Sequence, residues 1–380
     1  MKLLITGAKG FIGKNLTAAL NNVKNGCDKN FPFLTELEIY ECDLDTPLAL
    51  FREYCKRCDF VIHLAGVNRP QKLSDFMAGN YGFTGVLVNT LKEFGSKAPI
   101  LISSSIQATL DNEYGKSKKA AEDYIIDYGK ISGIETYVFR LPNVYGKWCK
   151  PNYNSVVATF CYNIANDLPI TINNRETELT FVYIDDVVAG FINAINGDVV
   201  YEDGYCKIPV EEKATLGFLA DSLYSFRDSR KNLSLPDMSN SFLKKLYATY
   251  ISYLPEDGFG YPLVSHRDER GSFTEFIHTK NNGQVSVNVS KPHVIKGQHW
   301  HNTKNEKFLV VSGKGVIRFR KIGTDEVIEY EVSGEKSEVI DIPVGYTHNI
   351  ENTGDTDMVT IMWCSEIFDS EKPDTYYQEV

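Results

Sequence analysis

The hydrophobic period of this chain changes once, and that change restricts the fold more than any single motif. Up to about residue 215, short apolar runs alternate with helical patterns. A strand over residues 2–6 leads into a helix to about Leu20, and strands follow at Leu37–Cys42 and Phe60–Gly66. A helix over Val86–Phe94, a strand over Ile100–Ser103, a helix over Tyr114–Tyr128 and a strand over Thr136–Arg140 continue the pattern. Strands and helices in turn build a parallel sheet covered on both faces. From Gly271 onward the period is two: Gln284–Val289, Phe308–Val311, Val316–Phe319, Val327–Glu331, Val339–Ile342 and Met358–Trp363 read as short strands separated by glycine-containing turns, a small barrel or sandwich. The fold class is therefore α/β, a doubly wound parallel-sheet domain followed by an all-β barrel. At 380 residues the chain exceeds the size at which one core keeps growing. The expected division is a first domain over 1–245, a junction over 246–262 and a second domain over 263–380. The text from Arg227 to Tyr261 is turn-rich, but Phe242, Leu243, Leu246, Tyr247 and Tyr250 form an amphipathic stripe that should dock on one domain.

The first strand ends in Gly7-Ala8-Lys9-Gly10-Phe11-Ile12-Gly13, which opens a helix. Gly7 permits the tight turn, Gly10 lets backbone N–H groups approach a pyrophosphate, and Gly13 lets helix and strand pack closely. Further on, Tyr114 and Lys118 lie four residues apart on a helix and so share a face. The phenol can give a proton to a carbonyl oxygen. The ammonium lowers the cost of the phenolate and can hold a ribose. Upstream, Ser103-Ser104-Ser105 follows a strand and offers hydroxyls to the same oxygen; by position Ser105 is favoured over Ser104. For the ribose 2′ position, Glu41 or Asp43 suits a hydroxyl and Lys9 or Lys14 a phosphate, so NAD and NADP both remain open.

A net charge of −10 argues against a nucleic-acid or anionic-membrane surface. Met1 runs straight into Lys2-Leu3-Leu4-Ile5 without a signal pattern, and no stretch is long enough to span a bilayer, which reads as cytoplasmic. The eight cysteines form no framework. Cys55-Lys56-Arg57-Cys58 has redox spacing but sits on an apolar helical pattern, so both are expected to be buried thiols. Of the seven histidines only His63 precedes residue 266, which confines metal chemistry to the C-terminal part.

The glycine turn, Asp43-Leu44, His63-Leu64-Ala65-Gly66, the serine run, Tyr114-x-x-x-Lys118, Arg140-Leu-Pro-Asn-Val-Tyr-Gly146 and Phe181-Val-Tyr-Ile-Asp-Asp-Val187 occur in an order that resembles the extended short-chain dehydrogenase/reductases. The resemblance implies a Rossmann domain acting on nucleotide sugars. It also implies dinucleotide contacts from Gly7, Lys9, Gly10, Phe11, Ile12, Gly13, Asp43, Leu44, Leu64, Ala65 and Gly66, with Tyr114 and Lys118. The segment after the catalytic helix would build a substrate lobe. Lys147, Lys150 and Arg175 are the cations there for a diphosphate, Asn143 lies in the Arg140 motif, and Arg69 sits just past a strand end, where open sheets bind ligands.

In the second part, His299-Trp300-His301 places two imidazoles on one strand face, with Glu306 shortly after and His348 following Pro343-Val344-Gly345. Three histidines and a carboxylate suit Zn2+ or another divalent first-row ion. The run His-x-His-x4-Glu-x6-Gly313, then Pro343-x-Gly-x2-His-x3-Asn352, resembles both cupin motifs, with His293 standing where the first motif begins with glycine. Val294-Ile295-Lys296-Gly297-Gln298-His299 and Asp268-Glu269-Arg270-Gly271-Ser272-Phe273 are in turn similar to the deoxysugar 3,5-epimerases, which use a histidine there as a base. One imidazole nitrogen cannot ligate and abstract a proton at once, and the completeness of the His301, Glu306, His348 set favours ligation.

As a whole the chain resembles the bifunctional capsular-polysaccharide enzymes that form UDP-2-acetamido-2,6-dideoxy-L-talose on the route to N-acetyl-L-fucosamine, with likeness carried by Tyr145–Tyr153 and Lys304–Lys307 among other stretches. That resemblance implies C3 epimerisation of a UDP-linked 4-keto amino-deoxysugar in a zinc cupin, then NADPH reduction at C4, and a homodimer. The alternative is a 4-ketoreductase whose cupin only binds sugar or joins a dimer. A nicotinamide-sensing regulator would have a broken catalytic pair, and Tyr114 and Lys118 are intact. The acid and base of the epimerisation have no spacing signature.

Overall fold

A computed structural model describes residues 1–279, 283–371 and 373–380. The first part runs β1 (Lys2–Thr6), α1 (Phe11–Lys24), β2 (Glu38–Cys42), α2 (Leu48–Arg57), β3 (Phe60–His63), a single turn α3 (Ser74–Phe76) continuing through a π-helical turn (Met77–Gly82) into α4 (Phe83–Glu93), β4 (Ile100–Ser105), α5 (Glu113–Ser132) and β5 (Thr136–Leu141). It continues with β6 (Asn143–Tyr145), α6 (Val156–Ala165), β7 (Glu178–Tyr183), α7 (Ile184–Ile195), β8 (Val200–Glu202), β9 (Tyr205–Lys207), β10 (Glu212–Thr215), α8 (Leu216–Asn232) and α9 (Ser241–Ile251).

The main sheet has the order β2-β1-β3-β4-β5-β9-β8, parallel from β2 to β9. Successive residues of β1 face opposite sides, and each side has its own core. Leu3 and Ile5 pack with Leu16 and Leu20 of α1 and Val187 and Phe191 of α7. Leu4 packs with Phe51 of α2, Leu87 and Val88 of α4 and Ile125 of α5. Each such buried aliphatic side chain contributes about 1.5–3 kcal/mol of transfer free energy. The order reverses between β1 and its two neighbours, so a crevice opens at the carboxyl end of β1, where open sheets bind ligands. Among the described residues one strand, β2, lies outside β1 on that side.

Cys55 and Cys58 are both buried, and burial pushes the Cys58 thiol up to about 12, as expected of core thiols without redox work. His63 is also core: its ring lies between the Thr6 hydroxyl at 2.6 Å and the Thr84 hydroxyl at 2.9 Å, and burial pushes it down to about 3, so it stays neutral.

By contacts the chain divides into Met1–Leu223 with Lys245–Leu254, and Tyr224–Lys244 with Pro255–Val380. This differs from one junction over 246–262. The division falls inside α8, after Leu223, and inside α9, before Lys245, so that Phe242 and Leu243 of the amphipathic stripe are assigned to one unit and Leu246, Tyr247 and Tyr250 to the other.

The second unit holds β11 (Ser265–Asp268), β12 (Gly271–Thr279), β13 (Gly283–Ser290), β14 (Ile295–Trp300), β15 (Glu306–Ser312), β16 (Lys314–Lys321), β17 (Val327–Ser333), β18 (Val339–Ile342), β19 (Tyr346–Asn352), β20 (Met358–Cys364) and β21 (Tyr376–Tyr377). These form two antiparallel sheets, β11-β12-β13-β20-β15-β18 and β17-β16-β19-β14-β21. Phe308, Val310, Ile340, Ile342 and Met358 of the first sheet meet Ile317, Phe319, Val332 and Ile350 of the second in one apolar core. The C-terminal part is thus all-β.

Candidate active site

The crevice at the end of β1 is a cavity of about 1000 Å³. Gly7 forms the turn at φ +72, a left-handed conformation that costs glycine nothing, and its missing Cβ would stand 2.7 Å from the Ala65 backbone. A Cβ on Gly13 would stand 2.3 Å from the Gly7 carbonyl, so its absence lets α1 close onto the turn. Of the expected dinucleotide contacts, the cavity wall holds Gly7, Lys9, Gly10, Phe11, Ile12, Gly13, Leu64, Gly66, Tyr114 and Lys118. Asp43, Leu44 and Ala65 are not on it. Asp43 instead braces the turn: its carboxylate accepts from the N–H of Lys9 and of Leu44, both at 2.8 Å, while the Leu44 side chain is exposed. The Lys9 ammonium is exposed and paired with Asp45.

Helix α5 begins where Asn112 caps it, accepting from Gly115 N–H at 2.7 Å. This puts Tyr114 on the first turn. Burial raises the phenol above its ordinary value, and a hydrogen bond with Ser105 works against that rise. One turn on, Lys118 is buried and its ammonium donates to the Ser103 carbonyl at 2.8 Å. Burial pushes Lys118 down to about 8, and the charge of Glu122 opposes the fall.

Both serines line the cavity, and they differ in their partners. Ser104 donates to Glu122 at 2.6 Å. Glu122, with no exposed surface, also accepts from Arg140 Nε at 3.0 Å and Nη2 at 2.7 Å, and the Arg140 guanidinium lies 3.5 Å from the centre of the Tyr205 ring. Ser104 is thus engaged in tying helix to strand, while Ser105, whose Oγ accepts from the Gln107 N–H at 3.2 Å, lines the cavity with Tyr114.

Sequence reasoning missed Glu122 and Asn80. Glu122 follows Lys118 by one helical turn, the signal that could have found it. Asn80 sits in the π-helical turn, accepts from Val67 N–H at 2.8 Å and donates to Ser117 at 2.9 Å. It anchors α5 to the loop after β3, and π-turns of this kind occur often at functional sites.

Of the expected substrate contacts, Asn143 and Lys150 line the cavity. Arg69 is exposed outside it, Lys147 pairs with Asp185 at 2.5 Å, and Arg175 pairs with Asp221 at 2.6 Å. Trp148 and Tyr153 add aromatic wall.

In the second unit, His299 lies on β14 directly opposite His348 on β19, His301 just past β14, and Glu306 at the start of β15. One potential ligand atom from each lies within 4.8 Å of the others. The Nε2 atoms of His301 and His348 are each 3.5 Å from Glu306 Oε2. His301 Nε2 and both ring nitrogens of His348 are buried and without a hydrogen-bond partner. An unsatisfied buried polar group costs about 1–3 kcal/mol, and the Nε2 atoms of His301 and His348, both facing Glu306, fit a bound cation. Burial would raise the Glu306 carboxyl, but His301, His348 and the Cys364 thiol at 3.1 Å outweigh it and hold it well below the usual carboxylate range. Burial, with His348 beside it, pushes His299 down to about 4. His293 takes φ 62, the left-handed conformation that explains a glycine as the usual residue there.

Residues 3–202 match the NAD dependent epimerase/dehydratase family, and residues 266–376 match the polysaccharide biosynthesis C-terminal domain. The chain belongs to the NAD dependent epimerase/dehydratase family. It is accordingly a nicotinamide-dependent enzyme with an added all-β domain. It is 44% identical over 376 residues to the UDP-2-acetamido-2,6-beta-L-arabino-hexul-4-ose reductase of Pseudomonas aeruginosa, covering 99% of this chain and 98% of that one. The crystal structure of the capsular polysaccharide assembling protein CapF from Staphylococcus aureus superposes with a TM-score of 0.92 at 52% identity over 100% of both chains. The Bordetella bronchiseptica enzyme WbmF in complex with NADH, at 20% identity and a TM-score of 0.51 over 66% of this chain and 90% of that one, shares the fold of the first part. Among the described residues no helix is long and apolar enough to cross a membrane.

Proposed function

We propose that the chain is a bifunctional cytoplasmic enzyme of surface-polysaccharide synthesis that acts, as a homodimer, on a UDP-2-acetamido-2,6-dideoxy-4-hexulose. Its C-terminal domain, a cupin, inverts C3, and its N-terminal domain then reduces the C4 ketone with NADPH to UDP-2-acetamido-2,6-dideoxy-L-talose. The observation that carries the reading is the meeting of Tyr114, Lys118 and Ser105 on the wall of the glycine-turn cavity. The Pseudomonas relative, named as reductase of a UDP-linked hexul-4-ose, supports the substrate class.

A bound nicotinamide supplies the hydride, and a divalent cation such as Zn2+ held by His299, His301, Glu306 and His348 supplies positive charge for a carbonyl oxygen. The chain does the rest of the reduction. Ser105 and Tyr114 hydrogen-bond the C4 oxygen, and Tyr114 gives it a proton as charge develops there. Lys118, fixed to the Ser103 carbonyl, stabilises the phenolate left behind and stands where a ribose hydroxyl can bond it. Asn143, Lys150, Trp148 and Tyr153 supply polar, cationic and aromatic contacts for the UDP moiety. The order of events follows from substrate chemistry. The C3 proton is acidic only while C4 is a ketone, so inversion precedes reduction.

The test is solvent exchange. In heavy water without nicotinamide, the protein should place deuterium at C3 of the ketosugar, and Tyr114→Phe should retain that exchange while losing reduction. A protein that reduces the ketone but never exchanges C3 would reduce the C-terminal domain to a binding or dimerisation module.

A further inference from the structure

Strand β14, which carries His299, is covered on both edges. On one side His348 of β19 stands opposite His299, and on the other Tyr377 of β21 stands opposite His299 and Tyr376 opposite Trp300. Residues 374–380 thus close the sheet edge that holds two of the imidazoles, and they do so at three points. The N–H of Gln378 donates to the Gln298 carbonyl at 2.9 Å, and that of Val380 to the Gln298 side-chain oxygen at 2.9 Å; Gln298, at φ 62, lies with Gly297, at φ 98, in the bulge just before His299. The Asp374 carboxylate accepts three consecutive backbone N–H groups, Asn302 at 2.9 Å, Thr303 at 2.7 Å and Lys304 at 2.9 Å, and the Thr303 hydroxyl at 3.0 Å. Those residues are the loop between His301 and Glu306. Finally, the Asp374 carbonyl is hydrogen-bonded to His301 Nδ1.

The last contact decides a tautomer. A carbonyl only accepts, so Nδ1 carries the hydrogen and Nε2 keeps the lone pair, facing Glu306 at 3.5 Å with no other partner. The carboxylate contact decides a position, because one anion gathering three amides fixes the path of the loop that delivers Glu306.

We propose that residues 374–380 are a built part of the cation site, with Asp374 a positioning residue that holds His301 in its ligating tautomer and sets the loop before Glu306. This rests on reading the four residues as a cation site. Outer contacts of this kind are worth about 10–100-fold in metal affinity.

The experiment is competition for Zn2+ and Co2+ between a chelating dye and the full chain, Asp374→Asn, Asp374→Ala, and a chain ending at Glu371. The shortened chain, which loses both carbonyl and carboxylate, should bind about 10–100-fold more weakly, and Asp374→Ala should fall between it and the full chain. Asp374→Asn keeps the shape of the side chain and should show the smallest loss. Long-range 1H–15N NMR of the metal-free protein should find hydrogen on Nδ1 of His301 in the full chain and a mixture of tautomers in the shortened one. Tight binding by the full chain with equal affinity in all three variants overturns the proposal. A full chain that binds neither ion overturns the reading of the cluster and the proposal with it, a failure visible without any variant.

Discussion

The two sites treat buried polar groups in opposite ways. In the first domain every buried charge has its partner within the protein: Lys118 donates to Ser103, and Glu122 is shared between Ser104 and Arg140. The cavity beside them is large and its wall is finished. In the second unit the ligand atoms of three histidines and a glutamate lie within 4.8 Å of one another, and the Nε2 atoms of His301 and His348 have no hydrogen-bond partner. A surface that substrates enter and leave must be stable when empty, so its side chains are satisfied. A site for a resident ion is built the other way, with lone pairs left for the ion to satisfy.

This contrast can be broken by substitution. The largest effect is expected for Tyr114→Phe, which should lower ketone reduction by about 10²–10⁴-fold, the usual worth of a positioned acid, while C3 exchange continues. Loss of both activities in folded protein would end the separation of the sites. Next come Glu306→Ala and His348→Ala. Metal content, read by elemental analysis of dialysed protein, should drop below one ion per chain while reduction of a ketosugar supplied already inverted persists.

Glu122→Gln sharpens the comparison from the side of the satisfied site. It leaves the Arg140 charge without its partner, and breaking such a buried pair costs about 3–5 kcal/mol in denaturant unfolding. It also removes the negative charge that raises Lys118, which burial has already pushed down to about 8. The ammonium is the working form and is lost as pH rises, so the alkaline fall in reduction should begin at lower pH in the variant. An unmoved alkaline limb would show that Lys118 does not set it. The smallest difference is between the serines. Ser105→Ala should lower kcat by about 10–100-fold, the worth of one to three kcal/mol of hydrogen bonding in the transition state. Ser104→Ala should leave kcat within a few-fold and cost about 1 kcal/mol of stability.

The unevenness of what the sequence discloses has the same origin. Tyr114, Lys118 and the glycine turn are legible because their geometry is local: a helical repeat and a strand-to-helix turn place them without knowledge of the tertiary fold. Apolar cores on both sides of the parallel sheet make its strands visible as well. In the second unit β19 has no aliphatic pattern to read, since its alternate buried positions are His348, Ile350 and Asn352, one aliphatic residue between two polar ones. The gathering of His299, His301, Glu306 and His348 is still legible, because histidine and glutamate are rare enough inside a small all-β domain for their spacing to stand out. The cations Arg69, Lys147 and Arg175 were read for charge alone, and the fold spends two of them on Asp185 and Asp221. Asp374 carries no local signal. It lies more than 60 residues from the loop it gathers, and only the pairing of β21 with β14 brings them together.

The most direct test of a two-site enzyme is a single incubation in heavy water of the UDP-4-ketosugar with NADPH, and in parallel with NADH, followed by NMR of the sugar. The expected product is reduced at C4, inverted at C3 and carries deuterium there, with NADPH consumed faster. Reduction at C4 with the original configuration and hydrogen at C3 would contradict it.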